Sequence, residues 1–216
     1  MALRTDFSLL IDGKLEQSAH HLAVINPALG TVFARCPAAQ QAELDRAVAA
    51  ARRAFTAWRA RSFAERAALV KQLSQQLRAK QNELAELLTR EQGKPLAQSV
   101  AEIDRGAAQS DGMVGIEIPV EVIADDSDKH IELRYRPLGV VGIITPWNAP
   151  VNLALGPLVS ALYTGNTVVL KPSPYTPLAT LKVGEILREV FPAGVVNVLA
   201  GGDELGAAMT SHTGID

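Results

Sequence analysis

The sequence predicts an α/β protein with a parallel sheet in its second half. Three observations carry this. From Gly139 onward, short β-branched apolar runs alternate with helical stretches of roughly 10–15 residues, the pattern of βαβ units with right-handed crossovers. Residues 1–116 read instead as a short β start followed by alanine-rich helices. Between these halves, residues 117–136 alternate apolar and polar side chains around a polar turn, which reads as a β-hairpin. The expected organisation is therefore 1–116 (mostly helical), 117–136 (hairpin) and 137–216 (a βαβαβα run forming part of a parallel sheet).

In the first part, Phe7 to Ile11 and Leu22 to Ile25 read as short strands, with Asp12-Gly13 as the turn between them. Asn26-Pro27 and Leu29-Gly30 mark a further turn. Helix begins near Gln40. Ser62 and Glu65 form a capping box, and Phe63, Ala67, Val70, Leu73 and Leu77 then mark one helix face. Leu84, Leu87 and Leu88 continue as a second amphipathic helix that stops at Gly93, and Pro95 opens another. In the hairpin, Ile118, Val120 and Val122 precede the turn Asp125–Asp128, and Ile131, Leu133 and Tyr135 follow it. The residues fit equally a solvent-facing hairpin and an arm that pairs with another subunit. Beyond it lie strand Val140–Ile144, helix Val151–Tyr163, strand Thr167–Leu170, helix Leu178–Phe191, strand Val195–Leu199 and helix Glu204–Ser211.

Composition excludes several classes. Net charge is 21 − 23 = −2, which gives no general case for binding nucleic acid or an anionic membrane. The 48% hydrophobic and 20% charged residues suit a folded chain. No run approaches the roughly 18 apolar residues of a membrane span. The longest, Val151 to Leu170, is broken by Asn152, Pro157, Ser160 and Asn166. The first fifteen residues hold too short an apolar stretch for a signal peptide. A soluble, cytoplasmic protein is expected. Cys36, the single cysteine, excludes an internal disulfide framework. His20, His21, His130 and His212 lack metal-ligand spacing, so no metal site is expected.

In an open parallel sheet, ligands bind beyond the carboxyl ends of the strands. Three turns fall there: Thr145-Pro146-Trp147-Asn148, Lys171-Pro172-Ser173-Pro174 and Gly201-Gly202. If the three strands share a sheet, an amide, an ammonium and a bare glycine turn face one crevice, which suits an elongated polar ligand such as a nucleotide. Each residue also has an ordinary reading: a turn amide ahead of Pro150, a solvated lysine, a tight glycine turn. The motifs Gly-x-Gly-x-x-Gly after a strand, Gly-x-x-x-x-Gly-Lys-Ser/Thr and Gly-x-Ser-x-Gly are absent, which counts against an ordinary Rossmann dehydrogenase, a P-loop enzyme and a serine hydrolase.

The run Pro137-Leu138-Gly139-Val140-Val141-Gly142-Ile143-Ile144-Thr145-Pro146-Trp147-Asn148-Ala149-Pro150 resembles the opening of the aldehyde dehydrogenase cofactor domain. Gly165–Ser173 and Pro192–Leu199 are similar to its next two segments, and Ile25-Asn26-Pro27 and Glu91-Gln92-Gly93-Lys94-Pro95 are weaker matches. The resemblance implies an enzyme that oxidises an aldehyde to a carboxylate with NAD or NADP. It implies that Asn148 is the side-chain donor of the oxyanion hole, that Lys171 binds the adenosine ribose, that Ile144, Thr145, Pro146 and Trp147 wall the cofactor, and that Gly201 turns near the adenine. It also implies that the hairpin is part of an oligomerisation arm joining copies of the chain.

Departures from the family pattern carry further expectations. Many NAD-preferring members have glutamate three residues after the lysine, where this chain has Pro174. With no carboxylate to repel a 2′-phosphate, Lys171 and Ser173 could contact one, implying dual NAD and NADP use or tolerance of NADP. Ala149 stands where an aromatic residue is common, and Asn152, Leu153 and Gly156 follow it, implying a roomy channel for a bulky or aromatic aldehyde. The family's nucleophilic cysteine and general-base glutamate fall later than Thr213–Asp216. Cys36, Glu91 and Glu204 lie in the wrong motifs to replace them. The chain is thus expected to be the N-terminal portion of such an enzyme and inactive alone. The other reading is a non-catalytic family-like chain that binds a nucleotide or another subunit.

Overall fold

The computed structural model describes residues 5–216. The chain opens with strands β1 (Leu9–Ile11) and β2 (Lys14–Glu16), then β3 (His21–Asn26) and β4 (Thr31–Pro37). Four helices follow: α1 (Gln41–Arg59), α2 (Phe63–Ala79), α3 (Gln81–Gln92) and α4 (Leu96–Met113). A separate hairpin comprises β5 (Glu121–Asp125) and β6 (His130–Leu133). The remainder runs β7 (Val140–Ile144), α5 (Pro150–Tyr163), β8 (Thr167–Lys171), α6 (Leu178–Val190), β9 (Val196–Val198) and α7 (Asp203–Ser211).

The main sheet has the order β2-β1-β9-β8-β7, with β7, β8 and β9 parallel and β1 antiparallel to β9. The expected α/β class and the three parallel strands are present. All five residues of β8 (Thr-Val-Val-Leu-Lys) are buried, which requires cover on both faces of the sheet. The helices α1, α5, α6 and α7 pack against the sheet, and α2, α3 and α4 lie outside α5 and α6.

The N-terminal strands depart from the sequence reading. Asp12 and Gly13 have φ of 51° and 73°, the paired positive values of a two-residue hairpin turn. Such a turn returns the chain at once, so β1 pairs with Lys14–Glu16 and not with Leu22–Ile25. A three-residue partner is too short to show periodicity. The segment Leu22–Ile25 instead pairs within β3 and β4, across the Asn26–Gly30 turn. The strand expected from Phe7 begins at Leu9.

The Ser62–Glu65 box forms as expected: the Glu65 amide donates to Ser62 Oγ at 3.2 Å and the Ser62 amide to Glu65 Oε2 at 2.7 Å. The hairpin forms over a shorter span than 117–136. Pro119 cannot donate to a ladder, and a register shift between Val122 and Ala124 breaks the alternation. Its apolar side chains Val120, Val122, Ile123, Ile131, Leu133 and Tyr135 are exposed. No helix among the described residues is long and apolar enough to cross a membrane.

Candidate functional site

The register places Ile144 opposite Lys171 and Leu170 opposite Val198, so β7, β8 and β9 end together. The Thr145 amide donates to the Lys171 carbonyl at 3.1 Å and the Leu199 amide to the Leu170 carbonyl at 2.9 Å, extending the ladder into the turns. Adjacent strands lie about 4.8 Å apart. The three turns singled out in the sequence therefore share one sheet edge, in the order Gly201, Lys171, Asn148.

Around β7, Ile144, Pro146, Trp147 and Asn148 are exposed, whereas Thr145 is buried. Thr145 Oγ1 is a buried oxygen without a hydrogen-bond partner. The Asn148 carbonyl accepts from Lys94 Nζ at 2.9 Å, and no hydrogen bond among the described residues engages its side-chain amide. On β8, Lys171 is only 2% exposed, and its ammonium has one long contact, 3.3 Å to the Pro172 carbonyl. Burial holds its pKa below the ordinary lysine value, against an opposing pull from Asp203. Ser173 is buried with its Oγ accepting from the Tyr175 amide at 3.3 Å, and Pro174 is half-buried beside it. After β9, Gly201 is buried so closely that an added Cβ would lie 2.4 Å from Leu205 Cδ2. The close neighbour is Leu205 of α7, a helix that begins two residues later.

Two cavities border this edge. One, of about 620 Å³, is lined by Trp147, Pro174, Tyr175 and Thr176 together with Glu91 and residues of β3. The other, of about 520 Å³, lies between the Gly202 turn, α7 and the start of α1. A cavity of about 640 Å³ lies elsewhere, against Arg59, Arg66, Tyr135 and Pro137 at the amino end of β7. It does not touch the strand ends.

The residues expected along a channel, Ala149, Asn152, Leu153 and Gly156, share one face of α5. Ala149 and Asn152 are half-buried and Leu153 is exposed. Gly156 is buried, and an added Cβ would meet Gln109 Nε2 of α4 at 2.9 Å. Its small size serves the contact between these two helices.

The sequence weighed Glu91 only as a general base and did not single out Glu102, yet both carboxylates have a structural role. Glu91 and Glu102 are buried in the helical layer. Glu91 accepts from the amides of Leu178 (2.7 Å) and Ala179 (2.9 Å) at the start of α6. Glu102 accepts from those of Val151 (3.0 Å) and Asn152 (3.3 Å) at the start of α5. Neither helix has a side-chain cap of its own, since Ala149 and Pro177 stand at the N-cap positions. The missing caps were the sequence signal: a buried helix start needs an acceptor from elsewhere. Burial raises the Glu91 pKa to about 8, with a further push from the charge on Glu102 and opposition from the two amides. Cys36 is also fully buried, and burial followed by the nearby Glu91 charge pushes its thiol up to about 12.

A parallel sheet ending in an orphan hydroxyl, a poorly satisfied buried ammonium and a glycine turn defines an α/β protein with polar groups gathered at the carboxyl ends of its parallel strands. The comparisons are narrower. The model of the aldehyde dehydrogenase family matches residues 15–216, and the chain belongs to that family. It is 36% identical over 211 residues to the aldehyde dehydrogenase LUC3 of Fusarium sp, covering 98% of this chain and 44% of that protein. It superimposes with a TM-score of 0.94 on an NAD+ complex of an aldehyde dehydrogenase from Bacillus cereus, at 35% identity over 97% of this chain and 45% of that one. A structure described as an E. coli NADP dependent enzyme gives a TM-score of 0.92 at 34% identity, covering 96% and 45%. The chain thus spans a little under half the length of the relatives it matches.

Proposed function

We propose that this chain supplies the cofactor side of an NAD(P)-dependent aldehyde dehydrogenase site, with Asn148 as the oxyanion donor. The observation that carries the reading is the shared sheet edge, where an unengaged amide, an under-satisfied buried ammonium and a close-packed glycine turn stand at the carboxyl ends of three adjacent strands. The family to which the chain belongs supports it.

The residues present fit a dinucleotide. Lys171 has donors to spare for ribose hydroxyls, and Ser173 offers its hydroxyl beside it. Thr145, Ile144, Pro146 and Trp147 provide a wall, and Gly201 brings backbone close to the ligand. When bound, the nicotinamide supplies the hydride-accepting chemistry. The Asn148 amide can donate to a developing oxyanion without ionising, a contribution typically worth about 2.7–4 kcal/mol of barrier. The nucleophile is not Cys36, whose thiol is buried and protonated far above neutral pH. We place the thiol and the general base in polypeptide outside this chain.

Finer points rest on the same reading. With Pro174 in place of a carboxylate, NAD and NADP are both accepted; a large kcat/KM discrimination against NADP would sink this. The α5 face of Ala149, Asn152 and Leu153 admits a bulky or aromatic aldehyde, and a preference for short aliphatic aldehydes would count against it. The hairpin, with its exposed apolar side chains, joins copies of the chain. The decisive assay is aldehyde-dependent NAD(P) reduction. The chain by itself is expected to show none, and a longer polypeptide bearing a cysteine and glutamate in the later family motifs is expected to turn over. Turnover by these residues alone overturns the placement of the nucleophile.

A further inference from the structure

We propose that Lys94 and Glu102 are positioning residues that hold the Asn148 turn and thereby aim its side-chain amide. The proposal rests on Asn148 acting as the oxyanion donor, and it extends that role to two residues of the helical layer.

The geometry is a closed chain of contacts. Lys94 Nζ donates to the Asn148 carbonyl at 2.9 Å and also pairs with Glu102 Oε2. The other oxygen of the same carboxylate, Oε1, accepts from the Val151 and Asn152 amides. One ion pair therefore grips both ends of the segment from Asn148 to the first turn of α5. The lysine binds its carbonyl and the glutamate its first free amides. The Lys94 side chain is 13% exposed and that of Glu102 fully buried, so water competes little for these bonds.

Local structure explains how Lys94 reaches the turn. Gly93 ends α3 in the left-handed conformation at φ 88°, where an added Cβ would strike Pro27 Cγ at 2.7 Å. Pro95 then stands immediately before α4. Lys94 is the single residue between a forced stop and a forced start, so its backbone has little freedom. Glu102 sits two turns into α4, on the face packed against α5.

The other side-chain anchor on this turn among the described residues is longer, Thr176 Oγ1 donating to the Trp147 carbonyl at 3.3 Å, and it does not reach the start of α5. Ala149 cannot cap α5, and Pro150 has no amide to offer. Without the ion pair, the Val151 and Asn152 amides would be left without acceptors beside an unrestrained carbonyl. A donor amide displaced by about 1 Å can lose about a hundredfold in rate. That loss falls on the chemical step, because the oxyanion exists only there.

The test uses the active enzyme of the preceding section, with Lys94→Met, Glu102→Gln and Asn148→Ala alone and in pairs. Asn148→Ala is expected to lower kcat by about 10²–10³. Lys94→Met is expected to lower kcat by about 10–100-fold with little change in KM for NAD(P), and Lys94→Arg to recover part of it. In the Asn148→Ala background, Lys94→Met should cost almost nothing more, since its effect passes through the absent amide. Hydrogen exchange at Val151 and Asn152 should quicken in Glu102→Gln, which guards against a Lys94→Met protein that fails to fold. Unchanged kcat in Lys94→Met, or a full additional loss in the Asn148→Ala background, overturns the positioning role while leaving the oxyanion reading intact. Unchanged kcat in Asn148→Ala overturns the oxyanion reading and this proposal with it.

Discussion

Glu91 should make the stability of this protein fall as pH rises through the neutral range, and Glu91→Gln should remove that dependence. The carboxyl is 3% exposed, and burial raises its pKa from 4.5 to about 8. In the unfolded chain it loses its proton near 4.5; in the folded chain it keeps it to about 8. Between those values the folded state binds more protons, so its stability is fully present below about 4.5 and is lost as pH rises toward about 8. The window is 8 − 4.5, or about 3.5 pH units, and at about 1.4 kcal/mol per unit the whole loss is at most about 5 kcal/mol. Glutamine keeps one acceptor for the Leu178 and Ala179 amides and loses the other, a cost of about 1–2 kcal/mol.

Wild type should therefore be the more stable protein near pH 5, and the variant near pH 8. Urea unfolding followed by circular dichroism from about pH 5 to about pH 9 measures the crossing. His130 titrates with the same sign, its pKa raised by Glu132 and then Asp125, but it is common to both proteins and cancels in the difference. Stability curves that run parallel across the range would refute the argument. The consequence for the site is direct, because Glu91 caps the helix that follows the Lys171–Pro177 turn.

Four further outcomes are expected. Cys36 should resist iodoacetamide at neutral pH in the native protein and react only on unfolding, and rapid stoichiometric labelling of the folded chain would contradict its burial. Gly194→Ala should destabilise by at least about 2 kcal/mol, because φ is 79° and the new Cβ would lie 2.7 Å from the Ala50 carbonyl; an unchanged Tm would show the turn to be free to move. Lys171→Met should stabilise the apo-protein by about 1–3 kcal/mol by removing a buried ammonium, while weakening NADPH binding about 10–100-fold in a fluorescence titration. The stabilising effect should shrink as pH rises above the lowered lysine pKa toward the ordinary lysine value. The isolated chain should self-associate, given the exposed apolar side chains of the hairpin, and a monodisperse monomer by light scattering would count against this.

Much of the sheet half was legible in the sequence because its signals are local. Val140–Ile144 and Thr167–Lys171 are β-branched runs, and the helices between them have the length of crossovers. The helical layer was readable for the same reason, from the Ser62–Glu65 box to the stop at Gly93. The N-terminal strands were less so. Lys14–Glu16 has no period to read, and nothing in Leu9–Ile11 announces that it will lie beside β9, some 185 residues from Asp12 to its bonded partner Asn197.

The site divides in the same way. The sequence by itself placed Asn148, Lys171 and Gly201 after three strands, because strand ends follow from local pattern and the parallel sheet from connection length. Tertiary structure alone decided what holds them. Glu91 reaches 87 residues along the chain to Leu178, and Glu102 reaches 49 to Val151. In sequence both are single charges on helices, indistinguishable from solvated ones. Packing buries them against two helix starts that have no caps of their own, and burial turns an ordinary glutamate into a structural acceptor. For the solitary cysteine the sequence already spoke against a nucleophile, since Cys36 lies in the wrong motif, and its surroundings fixed the rest: enclosed beside Glu91, it is a protonated core side chain.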